Sequence, residues 1–87
     1  MLVGEVGLEA LKVLKMEGPL NTKQVARRLG KNYHHTRDVL YELQRKNLVK
    51  SEMVKRFVPL TKAWVVVNEW SLTKAGEAYL ARVERKG

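Results

Sequence analysis

Within residues 21–47, NTKQVARRLGKNYHHTRDVLYELQRKN, two short amphipathic stretches meet at a single glycine. Asn21 or Thr22 can accept a backbone N–H and so open the first helix. Val25, Ala26 and Leu29 follow at spacings of three and four, which places them on one helical face. Gly30 ends that helix, since it takes the left-handed conformation at no steric cost. Asn32 caps the next helix, and Thr36, Val39, Leu40 and Leu43 form its inward stripe. Asn47 marks its end, being the residue after glycine that best tolerates the left-handed region. Two helices joined in this way make a helix-turn-helix, whose second helix is the one presented outward for recognition.

The flanking sequence supplies the rest of a core. Residues 1–17 read as a helix with Val3, Val6, Ala10, Leu11 and Leu14 on one stripe, with Leu8 and Val13 off to the side. Gly18-Pro19 breaks it, and Leu20 is extended and available to pair with a later strand. After Asn47 the periodicity changes. Residues 48–58 and 63–72 are rich in Val, Phe, Trp and Met and predict two antiparallel strands joined by Pro59-Leu60-Thr61-Lys62. Trp64, Val66, Trp70 and Leu72 share one face with Asn68 between them, and Val65, Val67, Glu69 and Ser71 share the other. A hairpin apolar on both faces near its tip is not fully covered by three helices. Residues 73–86 predict a last helix, capped by Thr73. Gly76 permits a close approach, Ala75, Tyr79, Leu80 and Val83 are its apolar positions, and Arg85 and Lys86 complement its dipole.

Composition narrows the function classes. The 87 residues suffice for one domain, residues 1–87, with a modest core. A net charge of +8 on so small a chain favours a polyanionic partner. Abundant Lys, Arg and Glu without Cys also fits a thermophile's solubility charge. The absence of Cys excludes disulfides and thiolate chemistry. No apolar run approaches the ~20 residues of a membrane span, and the N-terminus lacks the pattern of a signal peptide, so the expectation is a cytoplasmic protein with no membrane partner. Nothing resembles a nucleophile elbow, a glycine-rich phosphate loop or a carboxylate pair, so no enzyme activity and no cofactor are expected. His34 and His35 are neighbours on a helix and point roughly 100° apart. With Asp38 as the one nearby carboxylate they make a poor ligand set, and no metal is expected.

Three segments carry a resemblance: LNTKQVARRLG at 20–30, LYELQRKNLV at 40–49 and WSLTKAG at 70–76. Together they resemble the winged helix-turn-helix domains of prokaryotic and archaeal transcriptional regulators of the MarR, ArsR and PadR type. The resemblance spans nearly the whole chain and departs from the usual pattern at Asn47, where glycine is common. It implies an α+β winged helix-turn-helix: a three-helix core, a long two-stranded hairpin at 48–72 as the wing, and a C-terminal helix. The implied function is sequence-specific binding of double-stranded DNA, as a homodimer matching two-fold symmetric sites.

With Thr36, Leu40 and Leu43 inward, the base-reading set is Tyr33, His34, His35, Arg37, Asp38 and Tyr41. Arg37 is the first choice for a guanine edge, and Asp38 either accepts from cytosine or orients Arg37 or Arg45. Phosphate contacts are expected from Lys23, Gln24, Arg27 and Arg28 on the preceding helix and from Lys31, Arg45 and Lys46. Lys55, Arg56 and Lys62 add the wing's share. The alternative is a protein-interaction winged helix of a transcription or replication assembly, binding through Phe57, Val58, Leu60, Trp64, Val65 and Val67. Single-stranded nucleic acid stands third.

Overall fold

The computed structural model describes residues 3–86. Its elements run α1 (Glu5–Glu17), β1 (Leu20–Asn21), α2 (Thr22–Leu29), α3 (Tyr33–Arg45), β2 (Val49–Val58), β3 (Ala63–Leu72) and α4 (Lys74–Lys86). The first helix starts at Glu5 after an extended Gly4, later than the expected residue 1. Residues 1 and 2 of that expectation lie outside the described residues, as do the side chain of Lys86 and Gly87.

Local chemistry sets each boundary. Asn21 caps α2 through a reciprocal box: its Oδ1 accepts from the Gln24 backbone N–H at 2.8 Å, and Gln24 Oε1 accepts from the Asn21 N–H at 2.9 Å. Gly30 adopts φ 67°, and the Lys31 N–H returns to the Ala26 carbonyl at 3.1 Å, so the last carbonyls of α2 are satisfied within a tight turn. Asn32 Oδ1 accepts from the His35 N–H at 2.7 Å and starts α3. Asn47 takes φ 60°, and the Leu48 N–H returns to the Leu43 carbonyl at 3.0 Å. Asparagine thus does at the end of α3 what glycine does at the end of α2.

The sheet is antiparallel with order β1-β3-β2. Leu20 stands opposite Trp70 and Asn21 opposite Glu69, so the short extended segment before the helix-turn-helix does pair with the hairpin. The β2–β3 register runs from Val49 opposite Leu72 to Val58 opposite Ala63, closed by the Pro59–Lys62 turn. Ala10, Leu11, Leu14, Leu20, Val25, Leu40, Leu43, Leu48, Val49, Trp70 and Leu80 form one core cluster. Truncating a fully buried member such as Leu40 to alanine costs about 2–5 kcal/mol.

Two relationships fix the outer elements. Thr73 Oγ1 accepts from the Gly76 N–H at 2.9 Å, capping α4, and donates to the Asn47 carbonyl at 2.7 Å. Gly76 lies against Leu48, where a Cβ would overlap the Leu48 carbonyl oxygen. The close approach expected at Gly76 is therefore to the backbone at the entry to the wing. Ala75 departs from the expected apolar face. It is exposed, and Leu80 with half-buried Tyr79 and Val83 carries the packing of α4. Lys15 and Glu84 add an exposed ion pair between α1 and α4 at 3.2 Å.

Candidate nucleic-acid interface

α3 packs through Thr36, Leu40 and Leu43, and the six expected base-reading residues divide over the rest of its circumference. Tyr33, Arg37 and Tyr41 lie on the side toward β3 and the start of α2. With Lys23, Asn68 and Trp70 they line a concavity of ≈ 300 Å³ that has no acidic side chain in its wall. His35 lies on the opposite flank, where Val39, Glu42 and Lys46 face the start of α1. His34 and Asp38 belong to neither concavity and are exposed. The six residues therefore form three adjoining strips, because each helical step turns the chain by about 100°.

Packing holds the aromatic members in place. The Tyr41 ring meets Trp70 edge-on at 5.6 Å and 77°, and Tyr33 meets His34 likewise at 5.6 Å and 88°. Trp70 is itself fixed by its indole N–H, which donates to Thr22 Oγ1 at 2.8 Å. One aromatic pair thus links α3 to the base of the wing and the first residue of α2. Arg37 is half-buried. Its Nε is enclosed without a hydrogen-bond partner among the described residues, and its Nη2 lies 3.5 Å from Asp38 Oδ1. An enclosed guanidinium nitrogen without an acceptor costs free energy, and because no surface is open at Nε a contact with Arg37 is left to the rest of its guanidinium. Asp38 thus contacts Arg37 while most of its side chain stays exposed. Arg45 instead lies 3.6 Å from Glu42.

The basic residues fall into two groups. Arg28 Nε donates to both carboxylate oxygens of Glu17 at 2.8 and 2.9 Å, tying α2 to the end of α1. Arg56 forms a two-pronged pair with Glu69, Nε to Oε2 at 2.8 Å and Nη2 to Oε1 at 2.6 Å. That pair spans the two strands of the wing. Its hydrogen bonds hold the Glu69 carboxyl below the usual glutamate range, against the opposing effect of burial, and push the Arg56 guanidinium upward. Gln24 spends its amide oxygen on the α2 cap. Lys23, Arg27, Lys31, Lys55 and Lys62, in contrast, are exposed and have no acidic partner among the described residues. Lys62 adopts φ 54° at the wing turn. Asn68 and Trp70 are members of the site outside the expected set, which held only basic residues and residues of α2 and α3. Asn68, a lone amide in an apolar strand, is the signal in the sequence that points to them.

Among the described residues no group of three or more His, Cys, Asp or Glu side chains gathers to hold a metal ion. No helix is long and apolar enough to cross a membrane.

No protein-family model matches the chain, and no curated protein matches it significantly. Solved structures do. A point mutant of ZitR from Lactococcus lactis overlays with a TM-score of 0.78 and 18% identity, over 98% of this chain and 53% of that one. Unmutated ZitR is described as a zinc-responsive MarR family member. YusO of Bacillus subtilis gives 0.73 and 23%, over 95% of this chain and 54% of that one. The Zalpha domain of Carassius auratus PKZ, solved in complex with Z-DNA, gives 0.63 and 19%, over 79% of this chain and 94% of that one. The chain thus spans about half the length of ZitR and YusO, and nearly the whole of the Zalpha domain. At these identities the likeness is one of fold, and the fold is the winged helix-turn-helix.

Proposed function

We propose that this chain binds double-stranded DNA as a homodimeric transcriptional regulator, with α3 in the major groove and the β2–β3 hairpin as its wing. The observation that carries the reading is the acid-free concavity beside α3. Arg37 and Lys23 converge there with two phenols, and Arg27, Lys31, Lys55 and Lys62 stand on the elements around it. Lys23, Arg27, Lys31, Lys55 and Lys62, cations without acidic partners among the described residues, match a phosphate backbone, while exposed His34 and Asp38 match base edges. Half-buried Arg37, which lines the concavity with Val67, Asn68 and Trp70 of β3, holds register on a phosphate or reaches a guanine only at the edge nearest the wing. Arg28 and Arg56 serve the fold first, being fork-paired to glutamates.

Selection from a randomised duplex library tests this. A preferred site is expected to emerge, and His34→Ala with Asp38→Ala should weaken binding to it far more than binding to random DNA. Light scattering on the complex should show two chains per site. A library that yields no preferred site would sink the sequence-specific reading.

A second reading is favoured by the Zalpha domain, whose length this chain spans almost completely. In it the concavity selects a duplex by its backbone shape. A left-handed duplex competing better than a right-handed one of equal length would establish that reading in place of the first.

A further inference from the structure

The wing is longer than a phosphate contact requires. Beyond Asn68 the ribbon has no third strand beside it, continues for residues 63–67 and 54–58 and then turns. At about 3.4 Å per residue this is a projection of roughly 17 Å, consistent with a molecule 47 Å long and 25 Å by 21 Å across. The face that is core at the base, Val49, Trp70 and Leu72, continues outward as Met53, Val66, Phe57 and Trp64, interrupted by Asn68 opposite Met53 and Lys55 opposite Val66. There it lies open: Phe57 is 48% and Trp64 68% exposed, although their rings pack at 5.4 Å. At the apex Leu60 is 94% exposed, between Pro59 and Thr61. Apolar exposure on this scale at a ribbon tip marks an interaction site.

Charge identifies the partner. Residues 53–68 contain three cations, Lys55, Arg56 and Lys62, and no acid. Arg56 is held by Glu69, which leaves Lys55 and Lys62 flanking the apolar tip. A partner complementary to this surface is anionic at its rim and offers stacked apolar surface to a side chain that reaches past the rim. The minor groove of DNA has that chemistry: at about 6 Å wide it admits the tip side chain rather than the whole ribbon, between phosphate rims and over base steps that can open. Val67 and Asn68 border the same concavity as Tyr33, Arg37 and Tyr41. The wing therefore leaves the body at the edge of the surface assigned to DNA.

We propose that Leu60 is an apolar wedge. Carried by Pro59 and backed by the Phe57–Trp64 pair, it enters the minor groove beside the α3 contact and partly unstacks one base step, kinking the duplex toward the major groove. Lys55 and Lys62 hold the two phosphate rims. The wedge prefers a pyrimidine–purine step, where unstacking costs least, so the wing adds sequence preference without a hydrogen bond to a base. This inference rests on the DNA-binding reading above.

The test uses the full chain on a short duplex with one central TA step, a fluorophore pair at its ends and 2-aminopurine at the step. On saturation the wild type is expected to shorten the end-to-end distance and raise 2-aminopurine fluorescence. Leu60→Ala, a change at an exposed position, should lose both signals and bind about tenfold more weakly, with an unchanged salt dependence. Leu60→Met should retain them. Binding without bending or unstacking, or equal bending by Leu60→Ala, overturns the wedge and leaves the DNA-binding reading standing. No binding at all overturns both. Leu60-dependent binding to phosphatidylserine vesicles, with DNA left straight, would assign the tip to a lipid surface instead.

Discussion

The indole N–H of Trp70 donates to the hydroxyl of Thr22 at 2.8 Å inside the core, across 48 residues of sequence. The bond joins the base of the wing to the first turn of α2, and Trp70 in turn braces Tyr41 of α3. Thr22→Val keeps the shape and removes the acceptor, leaving a buried N–H unsatisfied. We expect a loss of about 1–3 kcal/mol in urea denaturation and near-recovery in Thr22→Ser. A Val variant as stable as the wild type would show that the bond contributes no stability.

Gly76 sits where any Cβ would collide with the Leu48 backbone. Gly76→Ala must push α4 away from the entry to the wing, and should lower stability by more than about 2 kcal/mol. Neighbouring Ala75, being exposed, should accept serine with almost no change in the same thermal melts.

Asn47 holds φ 60° with its side chain exposed. Asn47→Gly is expected to be neutral or slightly stabilising, whereas Asn47→Ala should cost about 1 kcal/mol, the penalty of a Cβ in the left-handed region. Equal stability of the two variants would contradict the left-handed ending of α3.

The Arg56–Glu69 pair makes stability depend on pH in a defined sense. Glu69 titrates lower in the folded chain than in the unfolded one because Arg56 bonds its charged form. Its contribution is therefore complete above the ordinary glutamate range, near pH ~4.3, and is lost as pH falls through the lower folded value. Urea midpoints measured across acidic pH should fall less steeply for Glu69→Gln than for the wild type. Because Arg56 is held by that pair, Arg56→Gln should change the salt dependence of DNA binding less than Lys55→Ala does.

Most of the architecture is written in local signals. Asn21, Gly30, Asn32 and Asn47 each bring their own cap chemistry, and alternation with the Pro59 break locates both strands, so these elements need no tertiary information. The spatial grouping around α3 is different. The inward stripe is legible from Thr36, Leu40 and Leu43, but the outward residues look like one surface until β3 and the start of α2 are in place. Only then do Tyr33, Arg37 and Tyr41 separate from His35. The same holds for charge. Arg28 and Arg56 read as phosphate ligands because their partners, Glu17 and Glu69, lie on other elements, where no helical or strand spacing reveals them. Ala75 is apolar by type and exposed by position, since Gly76 and Leu80 define the side of α4 that meets the body.

The most direct measurement is the fluorescence anisotropy of a labelled random-sequence duplex titrated with the protein at several salt concentrations, for the wild type, Lys31→Ala and Arg28→Ala. Affinity should fall steeply and linearly in log–log form with salt. The slope should shrink by about one in Lys31→Ala, whose charge has no acidic partner among the described residues, and hardly at all in Arg28→Ala. Absence of binding at low salt, or a wild-type affinity indifferent to salt, would contradict the assignment of this winged helix to DNA and leave its +8 charge without a polyanion to serve.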